Sequence, residues 1–300
     1  MSNRIIRAVT CDGAAKILAI SGRDMVNEAV RLHNLTPLTA AAVGRTMLAA
    51  SLLGNDLKGE DDSITVRFDG DGPIGTVVAV SDSHGNARAY CRNPQADLPL
   101  REDKKIDVGG GIGKNGTLSV LKDLGLKEPY VGQIQIVSGE VAEDITAYLA
   151  ISEQIPSVCA LGVLVDRDYS IRAAGGYIIQ LLPNVYEEEI NRLEECMKKA
   201  RAVTECLDEG MSLEEMLKST LTGFDIEVLD EGSAEYRCTC SRERTKGVVL
   251  SLGADEIKSI IEEDGKAEVC CQFCDKKYMF EKEELEEMLE EASRRAKDKK

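Results

Sequence analysis

The sequence predicts an α+β protein built from an N-terminal mixed α/β domain, a helical linker and a small C-terminal domain held by paired cysteines. Three observations carry this reading. Before Pro183, short strand-like runs mix with helical runs without a regular βαβ beat. After Pro183 the pattern turns helical and more acidic: residues 1–180 carry 18 basic and 22 acidic side chains, residues 181–300 carry 19 and 31. The last stretch of roughly 70 residues is too short for a comfortable core of its own unless something staples it. The expected boundaries are 1–182, 183–232 and 233–300.

In chain order, Thr36 is the expected cap of a helix that starts at Pro37 and runs through Ala-rich sequence to Gly54. Ile64-Thr65-Val66-Arg67-Phe68 places Ile, Val and Phe on one face, the period of a half-buried strand. Asp69 to Pro73 is a turn cluster, and Ile74 to Val80 reads as the partner strand. Gly109 to Gly116 reads as a flexible turn. Gln133-Ile134-Gln135-Ile136 alternates again. Val141, Ile145 and Leu149 recur at four-residue spacing on a helix expected from Glu140 to Glu153. Val158 to Val165 is nearly continuous in apolar residues, which suits a strand covered on both faces.

Beyond Pro183, Asn184 is the expected cap of a helix whose apolar stripe is Tyr186, Ile190, Leu193, Met197 and Ala200. Ser212-Leu213-Glu214-Glu215 forms a capping box and starts a short helix ending near Gly223. So narrow a stripe predicts surface helices packed on a neighbouring domain, or a marginal linker whose folding depends on its neighbours. Lys276 to Phe280 reads as a strand. The charged C-terminus reads as a helix with Leu285, Met288 and Leu289 along its apolar edge.

Composition narrows the function. The 300 residues are 43% hydrophobic and 30% charged, an ordinary globular balance, with a formal net charge of −16. Such acidity disfavours nucleic acid and anionic membranes as partners, and scarce aromatics disfavour base stacking. The N-terminus lacks a secretory apolar segment, and no apolar run reaches the roughly 18 residues of a membrane span. The expected compartment is therefore the cytoplasm. Gly109 to Gly116 lacks the Ser or Thr a phosphate loop needs after Lys114, and neither a G-x-S-x-G elbow nor an H-E-x-x-H pair occurs. No catalytic residues are expected, and the chain does not read as an enzyme.

Ten cysteines stand beside two histidines. Cys238-Thr239-Cys240 and Cys271-Gln272-Phe273-Cys274 are two close pairs separated by a loop, the spacing of a structural zinc site in which two knuckles supply four thiolates. One zinc ion per chain is the expected cofactor. Cys270 is also at chelating distance in sequence from Cys274; Cys271 has the usual knuckle spacing and is preferred, leaving Cys270 as a spare thiol. Cys11, Cys91 and Cys159 sit singly among apolar neighbours, and Cys196 and Cys206 lie on the acidic helical segment. Arg237, Arg242 and Arg244 flank Cys-x-Cys, where positive charge would favour thiolate.

Taken together, these features resemble the thirty-three-kilodalton heat-shock protein family, the bacterial redox-regulated chaperones of the chaperonin type. The resemblance spans the full length. It rests on Cys238-x-Cys240 followed by Ser241-Arg242-Glu243-Arg244, on Cys271-x-x-Cys274, and on Lys127-Glu128-Pro129-Tyr130 and Ser138-Gly139-Glu140. Ser152-Glu153-Gln154-x-Pro156-Ser157 and Gly175-Gly176-Tyr177-Ile178-Ile179-Gln180-x-Leu182-Pro183 complete it. The resemblance implies an N-terminal client-binding domain, a helical linker and a C-terminal zinc-binding redox switch. It further implies that oxidative stress forms the disulfides Cys238–Cys240 and Cys271–Cys274, expels zinc, and activates an ATP-independent holdase. Unfolding client proteins are the implied partners, and a homodimer the implied active form.

Overall fold

Apolar alternation on both sides of one unusually apolar helix organises the larger part of the molecule. The computed structural model describes residues 3–183 and 185–298, and the chain divides into two units, residues 1–237 and 238–300. In the first unit, β1 (Arg4–Thr10) and β2 (Ala15–Ser21) form a hairpin. They are followed by α1 (Arg23–His33) and α2 (Pro37–Asn55). Thr36 accepts a hydrogen bond from the Thr39 amide and Pro37 occupies the first turn, as expected. Almost every residue of α2 is buried, which explains why its sequence shows no amphipathic stripe. Gly44 permits that burial: a Cβ there would lie 2.7 Å from Val26 and 3.0 Å from Val163.

β3 (Ser63–Asp69), β4 (Val77–Asp82), β5 (Ala87–Cys91), α3 (Val108–Ile112), β6 (Thr117–Asp123) and β7 (Tyr130–Gln135) come next. Their strands form an antiparallel sheet in the order β5-β4-β3-β6-β7. Two expectations need correction here. The partner of β3 starts at Val77 rather than Ile74, and the glycine run expected as a turn winds into α3, where Asp107 caps by accepting from the Gly110 amide. α4 (Val141–Ile151), β8 (Ser157–Val165) and β9 (Ile171–Leu181) close the domain. β8 is the edge strand beside β9, and its middle is covered on both faces as expected: a Cβ on Gly44 of α2 would lie 3.0 Å from Val163 and a Cβ on Gly162 2.5 Å from Thr204, while Val158 near its start is exposed.

Residues 183–232 supply α5 (Glu187–Lys199), α6 (Val203–Asp208), α7 (Leu213–Thr220) and β10 (Ile226–Gly232). Asn184 lies outside the described residues, and α5 begins behind Tyr186 without a side-chain cap. The Ser212–Glu215 capping box of α7 is present in both directions. The stripe expected on α5 is only partly used: Leu193 is buried, whereas Tyr186 is 77% exposed. Leu213, Met216, Leu217 and Phe224 share a core with Ile6, Ile17, Tyr177 and Ile179 on one face of the first sheet. β10 was not foreseen. It pairs antiparallel with β1, so the sheet runs β10-β1-β2-β9-β8. The segment thus belongs to the first unit as packed structure.

The second unit contains α8 (Arg242–Ser251), α9 (Ala254–Glu263), β11 (Lys266–Cys270), β12 (Lys277–Glu281) and α10 (Lys282–Asp298). Its core is small, built around Val249, Ile257, Tyr278, Phe280, Leu285 and Met288. The strand expected from Lys276 and the terminal helix are both present.

Candidate metal centre

Two short backbone devices aim the cysteines of the second unit. Cys238 and Cys240 occupy irregular chain immediately before α8, whose start is fixed by Ser241 accepting from the Arg244 amide at 3.2 Å. Cys271 and Cys274 lie in the tight turn between β11 and β12. There the Cys271 carbonyl accepts from the amides of Cys274 at 3.3 Å and Asp275 at 2.9 Å, and the Cys271 amide donates to the Lys276 carbonyl at 3.0 Å. Asp275 takes a left-handed conformation (φ 56°), one that aspartate tolerates better than most residues.

The result is convergence. All four sulfur atoms lie within 4.8 Å of one another, and among the described residues they are the group of His, Cys, Asp or Glu side chains so placed. Two approaches run between the pairs, Cys238 to Cys271 at 3.6 Å and Cys240 to Cys274 at 3.5 Å. Four soft donors with no carboxylate or imidazole among them fit an ion that takes tetrahedral thiolate ligands. Cys270 is exposed at the end of β11 and stands outside the cluster.

The electrostatics of the four thiols are uneven. Burial pushes the Cys238 and Cys274 thiols up. Burial also acts on Cys240, but hydrogen bonds from Tyr278 and Cys274 outweigh it and bring that thiol down to about 7. The Tyr278 hydroxyl donates to Cys240 Sγ at 3.1 Å. The three arginines bond to groups other than the sulfurs, and Arg244 does so at the residue between Cys238 and Cys240. Arg237 pairs with Glu235; Arg242 pairs with Glu284, donates to the Met279 carbonyl and stacks on Phe280; Arg244 donates to Thr239. Of the remaining cysteines, Cys91, Cys159 and Cys206 are buried, and burial pushes the Cys91 thiol up to about 12. Cys11 is exposed, and Cys196 lies 3.4 Å from the Thr222 carbonyl.

A family model described as Hsp33 protein matches residues 3–281, a span that includes both cysteine pairs. The chain belongs to the Hsp33 family. Among its Hsp33 relatives, the 33 kDa chaperonin of Bacillus velezensis is 46% identical over 290 residues, 97% of this chain and 99% of its own. That of Clostridioides difficile is 45% identical over 291 residues, covering 97% and 100%. The crystal structure of the Hsp33 homologue from Thermotoga maritima superposes with a TM-score of 0.87 at 36% identity, covering 97% of this chain and 98% of that one. The mixed helix-and-sheet architecture of this chain is therefore that of an Hsp33 structure.

Within this Hsp33 chain, Tyr278 is the site residue that sequence reasoning missed. A signal was present: alternation along Lys276-Lys277-Tyr278-Met279-Phe280 puts Tyr278 and Phe280 on one face. That pattern marks Tyr278 as core, and it is core. What it cannot carry is the direction of the hydroxyl, which depends on where the knuckle before α8 folds.

Proposed function

We propose that this chain is a redox-regulated, ATP-independent molecular chaperone, a holdase rather than an enzyme, acting in the cytoplasm under oxidative stress. The single observation that supports it most is the convergence of the Cys238, Cys240, Cys271 and Cys274 sulfurs in a small unit with a sparse core. In the reduced state these four thiolates hold one Zn²⁺ per chain, which supplies the cross-link that so small a core lacks.

Oxidation joins Cys238 to Cys240 and Cys271 to Cys274. Each disulfide forms as two thiolates give up two electrons to one hydrogen peroxide, which takes two protons from solvent and leaves as two waters. Both knuckles then lose their donor atoms, and the folding energy that depended on them is gone. The linker, residues 183–232, uncovers apolar surface of residues 1–182 as it loosens. That surface holds unfolding client proteins, and the active form is a homodimer. The relatives' name, 33 kDa chaperonin, supports the chaperone reading.

Metal analysis and disulfide mapping test the centre. Reduced protein is expected to carry one zinc per chain, and a Ser at any one of the four positions to lower that occupancy. After peroxide, mapping is expected to find the two bonds within the knuckles. Bonds running between knuckles, or involving Cys270, would contradict the pairing.

A further inference from the structure

Among the described residues the first unit has four sheet edges, and three are guarded. At β5 the Ala87 amide donates to the Glu235 carbonyl, and the Arg237 amide donates to the Ala87 carbonyl. At β8 the Cys159 amide donates to Thr146 of α4 at 3.1 Å. β10 carries Glu227, Asp230 and Glu231, charges of the kind that deter edge pairing. The fourth edge, β7, reads Tyr-Val-Gly-Gln-Ile-Gln and has neither a charge nor a proline.

The register of β7 shows which groups are open. The Ile136 amide donates to Gly116 across the β6 side at 3.0 Å, so alternation turns the N–H and C=O of Val131, Gln133 and Gln135 away from β6. Among the described residues no backbone hydrogen bond reaches those groups, and all three side chains are exposed. Leu124, Leu126, Tyr130, Val131, Val137 and Ile151 lie on or beside this strand, six of the fourteen exposed large apolar side chains among the described residues. Ile151 belongs to the group because the end of α4 packs on β7: a Cβ on Gly132 would come within 2.6 Å of Ser152 Oγ.

We propose that the β7 edge is a binding site for extended apolar segments of unfolding polypeptides, taken up as a sixth strand. The proposal rests on the holdase reading and locates one of its client contacts. Main-chain pairing suits that partner because it asks little of the client's sequence, while the apolar border favours clients that expose hydrophobic stretches. A second copy of this chain fits less well. Six residues at about 3.4 Å each give an edge of about 20 Å, and pairing of that length falls short of the roughly 1,200 Å² buried in stable interfaces.

The test uses full-length oxidised protein and reduced, carboxymethylated α-lactalbumin as a permanently unfolded client. Gln133→Pro deletes one outward N–H and leaves the β6 ladder intact, and Val131→Lys adds a guarding charge without touching the backbone. Each is expected to weaken client binding by about fivefold or more, the loss of about one hydrogen bond, with Gln133→Ala within about twofold of the parent. Val131→Lys keeps the test decisive should Gln133→Pro fail to fold. Parent-like binding by both variants would overturn the proposal while leaving the holdase reading intact. Failure of the oxidised parent itself to bind would instead sink that reading. A dimer in sedimentation that Val131→Lys dissociates, with client binding unchanged, would assign the edge to self-pairing and overturn the proposal.

Discussion

The Tyr278 hydroxyl donates a 3.1 Å hydrogen bond to the sulfur of Cys240, tying the core of the second unit to its thiol cluster. The ring is buried beside Phe280 and Leu285, while the oxygen reaches the knuckle that precedes α8. A donor at that sulfur stabilises thiolate over thiol, and thiolate is the form that binds metal.

Tyr278→Phe keeps the ring and removes the bond. The variant is expected to fold and to bind zinc about tenfold more weakly, the usual scale for a partner that supports a ligand. Competition against a chromophoric chelator measures this; parent-like affinity would show that the hydroxyl only fills space.

Arg242 links β12 to α10 through the Met279 carbonyl, Glu284 and the face of Phe280. Arg242→Ala is expected to destabilise the second unit by about 1 kcal/mol, combining an exposed ion pair with a cation–π contact. Thermal melts of the zinc-bound protein check this. Because these Arg242 bonds go to Met279 and Glu284 and none to a sulfur, little change is expected in the rate at which peroxide oxidises the cysteines. A clearly slower rate in Arg242→Ala or Arg244→Ala would give these arginines a direct part in thiolate reactivity.

The segment 183–232 is anchored to the first sheet by charge as well as by its core. Arg4 pairs with Glu214 and with Glu231, each at 2.8 Å, and Arg7 pairs with Asp230. The hydrogen bond from Arg4 holds the Glu214 carboxyl below its ordinary value, and that from Arg7 does the same for Asp230. A depressed carboxylate stabilises the folded form above its unfolded pKa, and that contribution is lost as pH falls through the folded value. Protection of residues 203–232 from amide exchange, corrected for intrinsic rates, is therefore expected to fall below about pH 4.5. Glu214→Gln is expected to flatten that dependence by a few tenths of a kcal/mol, since the pair is partly exposed.

Metal removal should act on one unit. Chelation of the reduced protein is expected to unfold residues 238–300, whose core rests on a few side chains such as Ile257, Phe280 and Leu285, while α2 and its surrounding sheets persist. Amide exchange resolved along the chain reads both outcomes at once; persistent protection of β11 and β12 without metal would show that the core suffices.

Much of this was legible because local signals and tertiary context agree. Thr36-Pro37 starts a helix wherever it lies, Ser212 and Glu215 cap each other within four residues, and the cysteine spacing makes knuckles without help from distant chain. What stayed hidden depends on distant partners. Ile226 to Gly232 is strand because β1 offers it an edge, and its mixed, acidic sequence carries no such message. The glycine run at 109–111 becomes helical because Asp107 caps it, Ile74 donates to the Gly111 carbonyl and Gly72 donates to the carbonyl of the following Ile112. Tyr278 was readable as a buried ring, but its aim at Cys240 arises only once two knuckles separated by thirty residues meet.

In the proposed function, oxidation of the four thiols and gain of holdase activity are one event. It is tested by measuring bound zinc, free thiols and suppression of client aggregation on the same sample before and after peroxide. The reduced protein is expected to hold one zinc and protect poorly, and loss of the four thiols, loss of zinc and gain of protection are expected to proceed together. Zinc loss without gained protection, or full protection by the reduced zinc-bound form, would contradict it.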